Sequence, residues 1–494
     1  MHVVIIGGGV AGLGGALGLA RAGHEVTLLE RDATPFPANP VEAFASWDRR
    51  GAPQVRHSHA FLARLRNLLR DRLPDVLEAL MEHGTEELPI SNLLRPPIDD
   101  TSPRDGDDDL SLLACRRITF EWVLHQAVLD ETDISYKDGS RVVGVCAEDG
   151  RVVGVEVERD GTTEQVLADL VVDAGGRRSK LPQWLEAAGF AKPEEESEPC
   201  GIFYCSRFYQ LLPSATPPER DTTIGADLGY LKYAVFHGDG AIFSVTFAAA
   251  PEDKPLRALL KTEAFEAAAR ALPATARWVD PEVSEPISPV HAMDGLRNTR
   301  RFGLRDGEPV APGAIAIGDA AVHSNPLYGR GCSLGIVHAF LLVDAIAEHG
   351  EDVHAVALAV EAGVEREIIP WYAFAVAQDR EAAVTAQRQR DGGSAEDAPA
   401  QEGDPVDPRA YMRDVLTRGL VPALRLDATV LRAFLRSFNL LDPPGDLLQR
   451  PDVLQRVLAV YQKREEREEP YLGPDRAGLV ALLEEPHAQG GTHV

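Results

Sequence analysis

A glycine-rich turn near the amino terminus constrains the fold of this 494-residue chain more than any other feature. Gly7, Gly9 and Gly12 have the spacing G-x-G-x-x-G, after a β-branched apolar run at residues 3–6 and before an apolar segment that ends at Gly23. In such a strand–turn–helix unit the first glycine permits the tight turn, the second lets a pyrophosphate approach the backbone, and the third allows close helix–sheet packing. The helix then directs its free N–H groups at the phosphates. The pattern predicts a dinucleotide-binding domain.

The next strand defines which dinucleotide this turn suits. Residues 25–29 form a second apolar run, which ends at Glu30, 18 positions after Gly12. A carboxylate there can accept hydrogen bonds from both ribose hydroxyls and would repel a 2′-phosphate, so the site suits FAD or NAD rather than NADP. Arg31 follows directly and is a further candidate for cofactor binding.

The helix between these strands is unusually rich in glycine. Gly14, Gly15 and Gly18 fall within it, and each costs about 1 kcal/mol relative to alanine. We therefore expect a helix buried against other backbone. A signal peptide or membrane span is the alternative, but the segment has no basic leader, and Arg21 and Glu25 follow it at once.

The overall composition excludes several classes of partner. The chain carries 77 acidic and 50 basic residues, for a net charge of −27, and is 44% hydrophobic. This balance argues against nucleic acid and anionic membranes as partners. The length is sufficient for two or three domains.

Cysteine usage and hydropathy indicate a cytoplasmic protein without a membrane span. Residues 333–347 are apolar, but the run is short and contains His338 and Asp344, so we expect a buried helix. The cysteines are odd in number and lack C-x-x-C spacing, which argues for a reducing compartment and against a zinc or disulfide framework. They are Cys115, Cys146, Cys200, Cys205 and Cys332.

A basic, irregular segment follows the second strand. Residues 47–59 read W-D-R-R-G-A-P-Q-V-R-H-S-H, with His57 and His59 at the end. The arginines and histidines could face an anionic cofactor or the edge of a flavin, or they could form a solvated basic loop. A zinc site at the two histidines lacks a third ligand nearby. Helices are expected to follow between residues 60 and 83.

The middle of the chain contains two sets of antiparallel strands. Residues 141–174 predict a β-meander, with turns at E-D-G and D-G, that ends in D-A-G-G-R-R-S. Alternating strands follow at residues 203–210, 230–236 and 241–247. On the first of these, Arg207 and Tyr209 share one face, and Tyr204 and Phe208 share the other. One face should pack on a core and the other could line a substrate cavity, so Tyr204, Arg207 and Tyr209 are all candidates for substrate contact.

A second strand, glycine turn and helix occur two-thirds along the chain. The buried run at residues 314–317 leads into Gly318 and Asp319, and an apolar helix begins near Cys332. Asp319 could bind a ribityl hydroxyl, and the helix terminus could stabilise negative charge on a reduced flavin. The connecting loop contains Pro326, Gly329 and Gly331. Arg117, at the start of another helical pattern, could reach a phosphate or a flavin.

The order of these motifs resembles that of FAD-dependent aromatic hydroxylases, a superfamily of flavoprotein monooxygenases. The G-x-G-x-x-G turn, D-A-G-G-R and G-D-A…N-P-L-Y-G-R-G carry the resemblance over residues 1–390, and G-A-P-Q-V-R-H-S-H is similar to a segment of the polyether and squalene epoxidase branch. The resemblance implies that Gly7, Gly9, Gly12 and Glu30 hold the ADP half of FAD, that Arg117 contacts the cofactor, and that Asp319 binds the ribityl chain. It places Pro326 and Gly329 to Gly331 beside the isoalloxazine.

The fold class expected is α/β, with a Rossmann-like FAD-binding domain of the glutathione-reductase type, an antiparallel-sheet substrate domain and a C-terminal helical region. The expected boundaries are 1–185 for the first part of the FAD-binding domain, 186–300 for the substrate domain, 301–390 for the second FAD-binding part, 391–408 for an acidic linker and 409–494 for the helical region.

The activity implied by the resemblance is monooxygenation. Reduced flavin would react with O2 to give a C4a-(hydro)peroxide, which hydroxylates or epoxidises an apolar or aromatic small molecule. The alternatives are a dehydrogenase or double-bond reductase of the geranylgeranyl-reductase type, and a flavin-binding protein without turnover. The W-x-W-x-I-P motif of tryptophan-type halogenases is absent from the sequence.

The electron donor is left open by one departure from the family pattern. An aspartate that in these enzymes assists both FAD and NAD(P)H corresponds here to Gly175, directly before Gly176. NAD(P)H could still reduce the flavin directly, or a separate flavin reductase could supply the electrons. The sequence identifies no catalytic base and no metal site.

Overall fold

The chain forms two compact units, each built from separate stretches of sequence. The computed structural model describes residues 1–98, 100–219, 225–391, 408–468 and 470–484. The first unit comprises Met1–Thr85, Cys115–Cys200 and Arg297–Ala377. The second comprises Glu86–Ala114, Gly201–Leu296 and Gln378–Val494. The predicted linker at 391–408 lies outside the described residues except at its two ends.

A parallel sheet forms the centre of the first unit. Its strands, in spatial order, are Ala314–Ala316, Leu170–Asp173, His2–Ile6, Glu25–Leu29 and Ile134–Lys137. The three central strands are rich in valine, isoleucine and leucine and are largely buried, as expected when helices cover both faces of a parallel sheet. Ligands of such sheets bind outside the carboxyl ends of the strands, where connections diverge to opposite sides. Here that place is the end of His2–Ile6.

Helices and small antiparallel sheets complete the first unit. The helices are Val10–Arg21, Pro40–Ser46, Ala63–Arg72, Pro74–Glu82, Arg117–Asp130, Leu181–Ala187, Gly331–His349, Val353–Glu367 and Ile369–Arg390. The residues of the last helix from Gln378 onward are assigned to the second unit. The antiparallel strands are Arg141–Glu148, Arg151–Arg159 and Thr162–Leu167 in one sheet, Glu195–Pro199, Arg297–Arg301 and Val322–His323 in another, and Leu304–Arg305 with Glu308–Pro309.

The predicted meander is correct for its first part and wrong for its last strand. Arg141–Glu148, Arg151–Arg159 and Thr162–Leu167 pair in antiparallel order. Leu170–Asp173 instead joins the parallel sheet, next to His2–Ile6. Its four residues are all buried, and a run that is apolar on both faces suits a covered parallel sheet better than a half-exposed meander.

The glycine-rich helix Val10–Arg21 packs closely on the long helix Gly331–His349. A Cβ atom on Gly18 would lie 2.8 Å from Val343 Cγ2 and 3.1 Å from Phe340 Cε1. The prediction of a buried helix is therefore confirmed. The prediction that its glycines pack against other backbone is wrong, because Gly14 and Gly18 contact side chains of the long helix.

The long helix is also the one helix among the described residues that is long and apolar enough to cross a membrane. Gly331–His349 has 19 residues, and 67% of its apolar window is buried inside the protein. Much of that buried surface faces Val10–Arg21, which is the position of a core helix, as the sequence predicts for residues 333–347.

An antiparallel sheet forms the centre of the second unit. Its strands are Gly225–Asp227, Leu231–His237, Ile242–Ala249, Phe203–Leu211 and Ser284–Pro286 in spatial order, and His291–Met293 also pairs with Phe203–Leu211. Phe203, Tyr209 and Phe247 share a core with Phe265 of the helix Thr262–Ala271. One face of the sheet is therefore covered by this helix.

The remaining elements of the second unit are a hairpin and a set of helices. The hairpin pairs Glu86–Pro89 with Ser111–Ala114. The helices are Pro273–Ala276, Pro408–Val415, Val421–Ala423, Ala428–Phe438, Pro451–Gln462 and Arg476–Glu484. Val430, Val453 and Val457 form part of a separate small core.

The contact between the two helices can be tested by substitution at two glycines of the same helix. Gly18→Val should destabilise the protein by about 1–3 kcal/mol, because its methyl groups would overpack against Val343 and Phe340. Gly15→Ala is the matched control, since its Cβ would meet only ordinary contacts at 3.7 Å or more, and helix propensity predicts a gain of up to about 1 kcal/mol. Urea denaturation of both variants measures the difference. Equal stability of the two would contradict this packing.

Candidate functional site

The first glycine turn leaves open space at the position where a phosphate is expected. Gly7 has φ +102°, and a Cβ there would lie 2.7 Å from the Ala174 carbonyl oxygen. A Cβ on Gly12 would lie 2.0 Å from the Gly7 carbonyl oxygen, so packing requires both glycines. A Cβ on Gly9 would meet nothing within 4 Å. Gly9 is thus not needed for internal packing, and its open side, at the start of a helix, fits a pyrophosphate group.

Glu30 is buried beside this turn. Its carboxylate accepts hydrogen bonds from the backbone N–H of Gly8 and of Asp32, both at 2.9 Å. Each carboxylate oxygen can accept more than one hydrogen bond, so Glu30 retains the capacity to bind ribose hydroxyls. Arg31, in contrast, is 54% exposed in its side chain and lies 3.7 Å from Asp32. The structure does not direct Arg31 at the turn.

Arg49, which was not singled out from the sequence, is the arginine at the first turn. It is buried, and its Nη2 donates to the Gly8 carbonyl oxygen at 2.6 Å. The same atom lies 4.0 Å from Glu30 Oε2, and the guanidinium lies over the Trp47 ring. The only sequence signal is its place in the basic segment W-D-R-R.

The D-A-G-G-R turn lies next to the first glycine turn. Asp173 is buried, and its carboxylate accepts from the Gly175 N–H at 2.9 Å and from the Ser179 hydroxyl. Burial raises the pKa of Asp173, although these hydrogen bonds act in the opposite direction. A Cβ on Gly175 would lie 2.9 Å from Asp173 Oδ1. A second carboxylate at position 175 would therefore meet like charge at once.

Arg301 joins this turn to the second glycine turn and was also missed from the sequence. Its Nη1 donates to the Ala320 carbonyl oxygen at 2.7 Å, and its Nη2 donates to the Arg177 carbonyl oxygen at 3.3 Å. Its Nε donates to Glu195 at 2.8 Å. The sequence around Arg301, R-N-T-R-R, is that of an exposed strand, so it does not predict these contacts.

The second glycine turn contacts the first helix directly. Gly318 has φ +58°, and a Cβ there would lie 2.8 Å from the Cβ of Ala11. Its N–H donates to His338 Nδ1 at 3.1 Å. Burial lowers the pKa of His338 to about 4, so the ring is neutral. Asp319 follows with its side chain 40% exposed, 3.8 Å from His323 Nε2, and its carboxylate is available to a ligand.

The loop after Asp319 ends at a second open helix terminus. Pro326 begins a short 3-10 turn, and Gly329 has φ +67° with its Cβ position 2.9 Å from the Cβ of Ala60. Gly331 starts the long helix, and a Cβ there would meet nothing within 4 Å. The two helix starts that follow the glycine turns therefore share one property, which is a glycine facing open space.

Arg117 begins the helix Arg117–Asp130 and contacts the start of the long helix. Its Nη1 donates to Cys332 Sγ at 2.6 Å, and its Nε donates to Glu121 Oε1 at 2.7 Å. Burial acts to lower the pKa of Arg117, but Cys332, Glu121 and Asp319 outweigh it and raise that pKa, so the guanidinium is charged.

The two histidines of the basic segment, His57 and His59, lie close to Arg117. His59 Nδ1 lies 3.0 Å from the His57 carbonyl oxygen, which fixes this nitrogen as the donor. Burial and the charge of Arg117 lower the pKa of His59 to about 3, so the ring is neutral. His57 is itself buried. The end of the segment, at His57 and His59, is therefore buried near Arg117, whereas Asp48 and Arg50 are exposed.

The substrate candidates of the antiparallel sheet separate onto two faces. Arg207 Nη1 and the Tyr209 hydroxyl both donate to Glu266 Oε1 at 2.6 Å, so these two residues lie on the face covered by the helix Thr262–Ala271. Tyr204 lies on the opposite face and donates to Met293 Sδ at 3.0 Å. The structure thus assigns Arg207 and Tyr209 a partner within the core of the sheet domain.

Comparison with known proteins agrees with this geometry. Residues 1–194 match the pyridine nucleotide-disulphide oxidoreductase family. Protein Rv3254 of Mycobacterium tuberculosis is 29% identical over 381 residues, which cover 68% of this chain and 71% of that protein.

Two solved structures share the fold. PqsL of Pseudomonas aeruginosa, a probable FAD-dependent monooxygenase, matches with a TM-score of 0.55 and 16% identity, over 79% of this chain and 98% of its own. The myxobacterial chondrochloren halogenase CndH, an FAD-dependent halogenase, matches with a TM-score of 0.57 and 17% identity, over 82% and 92%.

The shared fold and the amino-terminal family match point in the same direction. The chain has the fold of FAD-dependent monooxygenases and halogenases, and its amino-terminal part matches an oxidoreductase family. Both findings agree with the resemblance seen in the sequence, which is to FAD-dependent oxidoreductases.

The open space at Gly9 yields a direct test of the cofactor site. Gly9 has an extended backbone that any residue can adopt, so Gly9→Val should leave the stability of the apoprotein nearly unchanged. Its side chain would occupy the position of the pyrophosphate and should weaken FAD binding at least tenfold. Flavin fluorescence titration and thermal unfolding of the apoprotein measure the two effects.

Gly12→Ala is the control for Gly9→Val, because its Cβ would collide with the Gly7 carbonyl oxygen at 2.0 Å. This variant should lose stability as well as FAD. A Gly9→Val protein that binds FAD as tightly as the wild type would exclude the turn as the phosphate site.

Proposed function

We propose that the protein is an FAD-dependent monooxygenase that hydroxylates or epoxidises an apolar or aromatic small molecule. The convergence of the glycine turns carries the proposal. The Gly7 turn packs on Ala174, and the Gly318 turn packs on Ala11 of the first helix. A single extended dinucleotide can therefore contact both turns. The shared fold with FAD-dependent monooxygenases supports the reaction type.

In this proposal each group of residues has a distinct role. The helix start at Gly9 and the Glu30 carboxylate bind the ADP half of FAD. Asp319 binds the ribityl chain, and the helix start at Gly331 places about half a positive charge beside the flavin ring. Arg117 contributes a buried cation at the same end. Reduced FAD, once bound, would supply two electrons to O2, and with two protons one oxygen atom would enter the product and the other would leave as water.

The substrate is proposed to bind the face of the antiparallel sheet that carries Tyr204 and Phe208. Both side chains are buried, and both present aromatic surface, which suits an apolar or aromatic substrate. Between them Ser206 and Thr246 form a hydroxyl pair at 2.8 Å. Such a pair could bind one polar group of the substrate and fix its orientation.

We propose that a separate flavin reductase supplies the electrons. By the resemblance seen in the sequence, Gly175 corresponds to the aspartate that assists NAD(P)H in FAD-dependent aromatic hydroxylases. Asp173 Oδ1 would lie 2.9 Å from a Cβ there, so the local geometry does not suit a second acid. A cytoplasmic location is part of the same proposal, since all five cysteines are free thiols.

Oxygen incorporation tests the proposed reaction. The holoprotein, reduced anaerobically with dithionite, should transfer label from 18O2 into one member of a panel of apolar aromatic and alkenyl compounds, as measured by mass spectrometry. Gly9→Val protein is the control and should give no label. Saturation of an alkene without label would identify a reductase. Bound FAD without substrate-stimulated oxygen uptake would indicate a flavin-binding protein without turnover.

The donor is tested by anaerobic bleaching of the bound flavin near 450 nm. Addition of NADH or NADPH alone should leave the absorbance unchanged, because no acid at position 175 assists the nicotinamide. Addition of NADH together with a flavin reductase and free FAD should bleach it. Rapid bleaching by either nucleotide alone would overturn the proposal of a separate reductase.

A further inference from the structure

One face of the helix Arg117–Asp130 carries an unusual buried polar stripe. Arg117, Glu121 and His125 are spaced i, i+4 and i+8, and all three are buried. Residues at this spacing lie on one side of a helix. The intervening side chains are mostly apolar, such as Phe120 and Leu124. Buried charge of this kind requires specific partners.

The Arg117 end of the stripe contacts the start of the long helix. The Arg117 guanidinium donates to Cys332 of the long helix at 2.6 Å and to Glu121 at 2.7 Å. The charge of Asp319 also acts on it. This end of the stripe therefore lies where the flavin ring is proposed to bind.

The His125 end of the stripe contacts the first glycine turn. The Gly8 carbonyl oxygen lies 3.2 Å from His125 Nε2 and accepts from Arg49 Nη2 at 2.6 Å. Burial, helped by the charge of Arg49, lowers the pKa of His125 well below its ordinary value. The ring is therefore neutral, and its Nε2–H donates to Gly8.

Glu121 stands between the two arginines. Its Oε1 binds Arg117, and its Oε2 lies 3.4 Å from Arg49 Nε. The side chain is fully buried, and neither Glu121 Oε2 nor Arg49 Nε has a hydrogen-bond partner. One carboxylate thus faces two guanidiniums, one bound to the Gly8 carbonyl of the first glycine turn and the other to Cys332 at the start of the long helix. Its contact with Arg49 is an ion pair without hydrogen-bond geometry.

We propose that Glu121 is a positioning residue that holds Arg49 at the first glycine turn and Arg117 at the start of the long helix, so that both arginines act on one FAD molecule. The inference rests on the proposed cofactor site and adds a residue that the G-x-G-x-x-G and G-D motifs do not include. Its carboxylate also compensates one of the two positive charges. Removal of that charge leaves excess positive charge near the flavin, which favours the reduced, more negative cofactor.

Two substitutions separate charge from shape. Glu121→Gln keeps the shape and removes the charge. It should weaken FAD binding at least tenfold, because the arginines lose their common anion. It should also favour reduced over oxidised FAD about tenfold, which corresponds to a midpoint potential about 30 mV more positive. Glu121→Asp keeps the charge and should recover most of the affinity and the wild-type potential.

The measurements are FAD titration of the apoproteins, spectroelectrochemistry of the bound flavin and thermal unfolding of each apoprotein. A lower unfolding temperature with unchanged affinity and potential would show that Glu121 serves only folding, and the proposal would fail. Failure of the wild type to bind FAD would instead overturn the proposed function itself.

A third variant covers the case in which Glu121→Gln does not fold. Glu121→Gln combined with Arg49→Gln removes one charge of each sign, so it should fold. It should bind FAD at least tenfold more weakly than the wild type, with a potential close to that of the wild type. Wild-type affinity in this double variant would overturn the proposal.

Discussion

The close approach of the second glycine turn to the start of the first helix is the contact on which the site depends. A Cβ on Gly318 would lie 2.8 Å from that of Ala11, so only glycine brings Asp319 to the end of the parallel sheet. The glycine-dependent packing of Val10–Arg21 on Gly331–His349 extends the same contact. As a result, two helix starts, each with a glycine facing open space, lie at one edge of the sheet.

Buried charge supplies the second constraint. Glu30, Arg49, Glu121 and Arg117 are all buried in the first unit, and their formal charges sum to zero. Ion pairs buried in this way stabilise a fold little, because desolvation offsets their attraction. Their retention here is better explained by geometry, since they connect the backbone of the first turn with the start of the long helix.

Glycines that the backbone conformation or close packing requires could be predicted from the sequence, whereas side-chain contacts between residues distant in the sequence could not. Gly7 and Gly318 predict tight turns and Gly12 predicts close packing of the first helix, because a side chain at each would collide with neighbouring atoms. Arg49 and Arg301 lie in irregular or basic segments where an arginine that binds a carbonyl looks like a solvated one. Glu121 was recognisable in principle, as a charge within an apolar helix four residues after Arg117.

The sheet domain shows the same limit of prediction from sequence. Alternation in Phe203–Leu211 assigns Tyr204 and Tyr209 to opposite faces, but only the fold shows that the Tyr209 hydroxyl donates to Glu266.

The most direct test of the whole account is the stoichiometry of the cofactor, measured by titrating the apoprotein with FAD and by chromatography of the flavin released on heating. One FAD per chain is predicted. Colourless protein that binds no added FAD, or two independent nucleotide sites per chain, would contradict it.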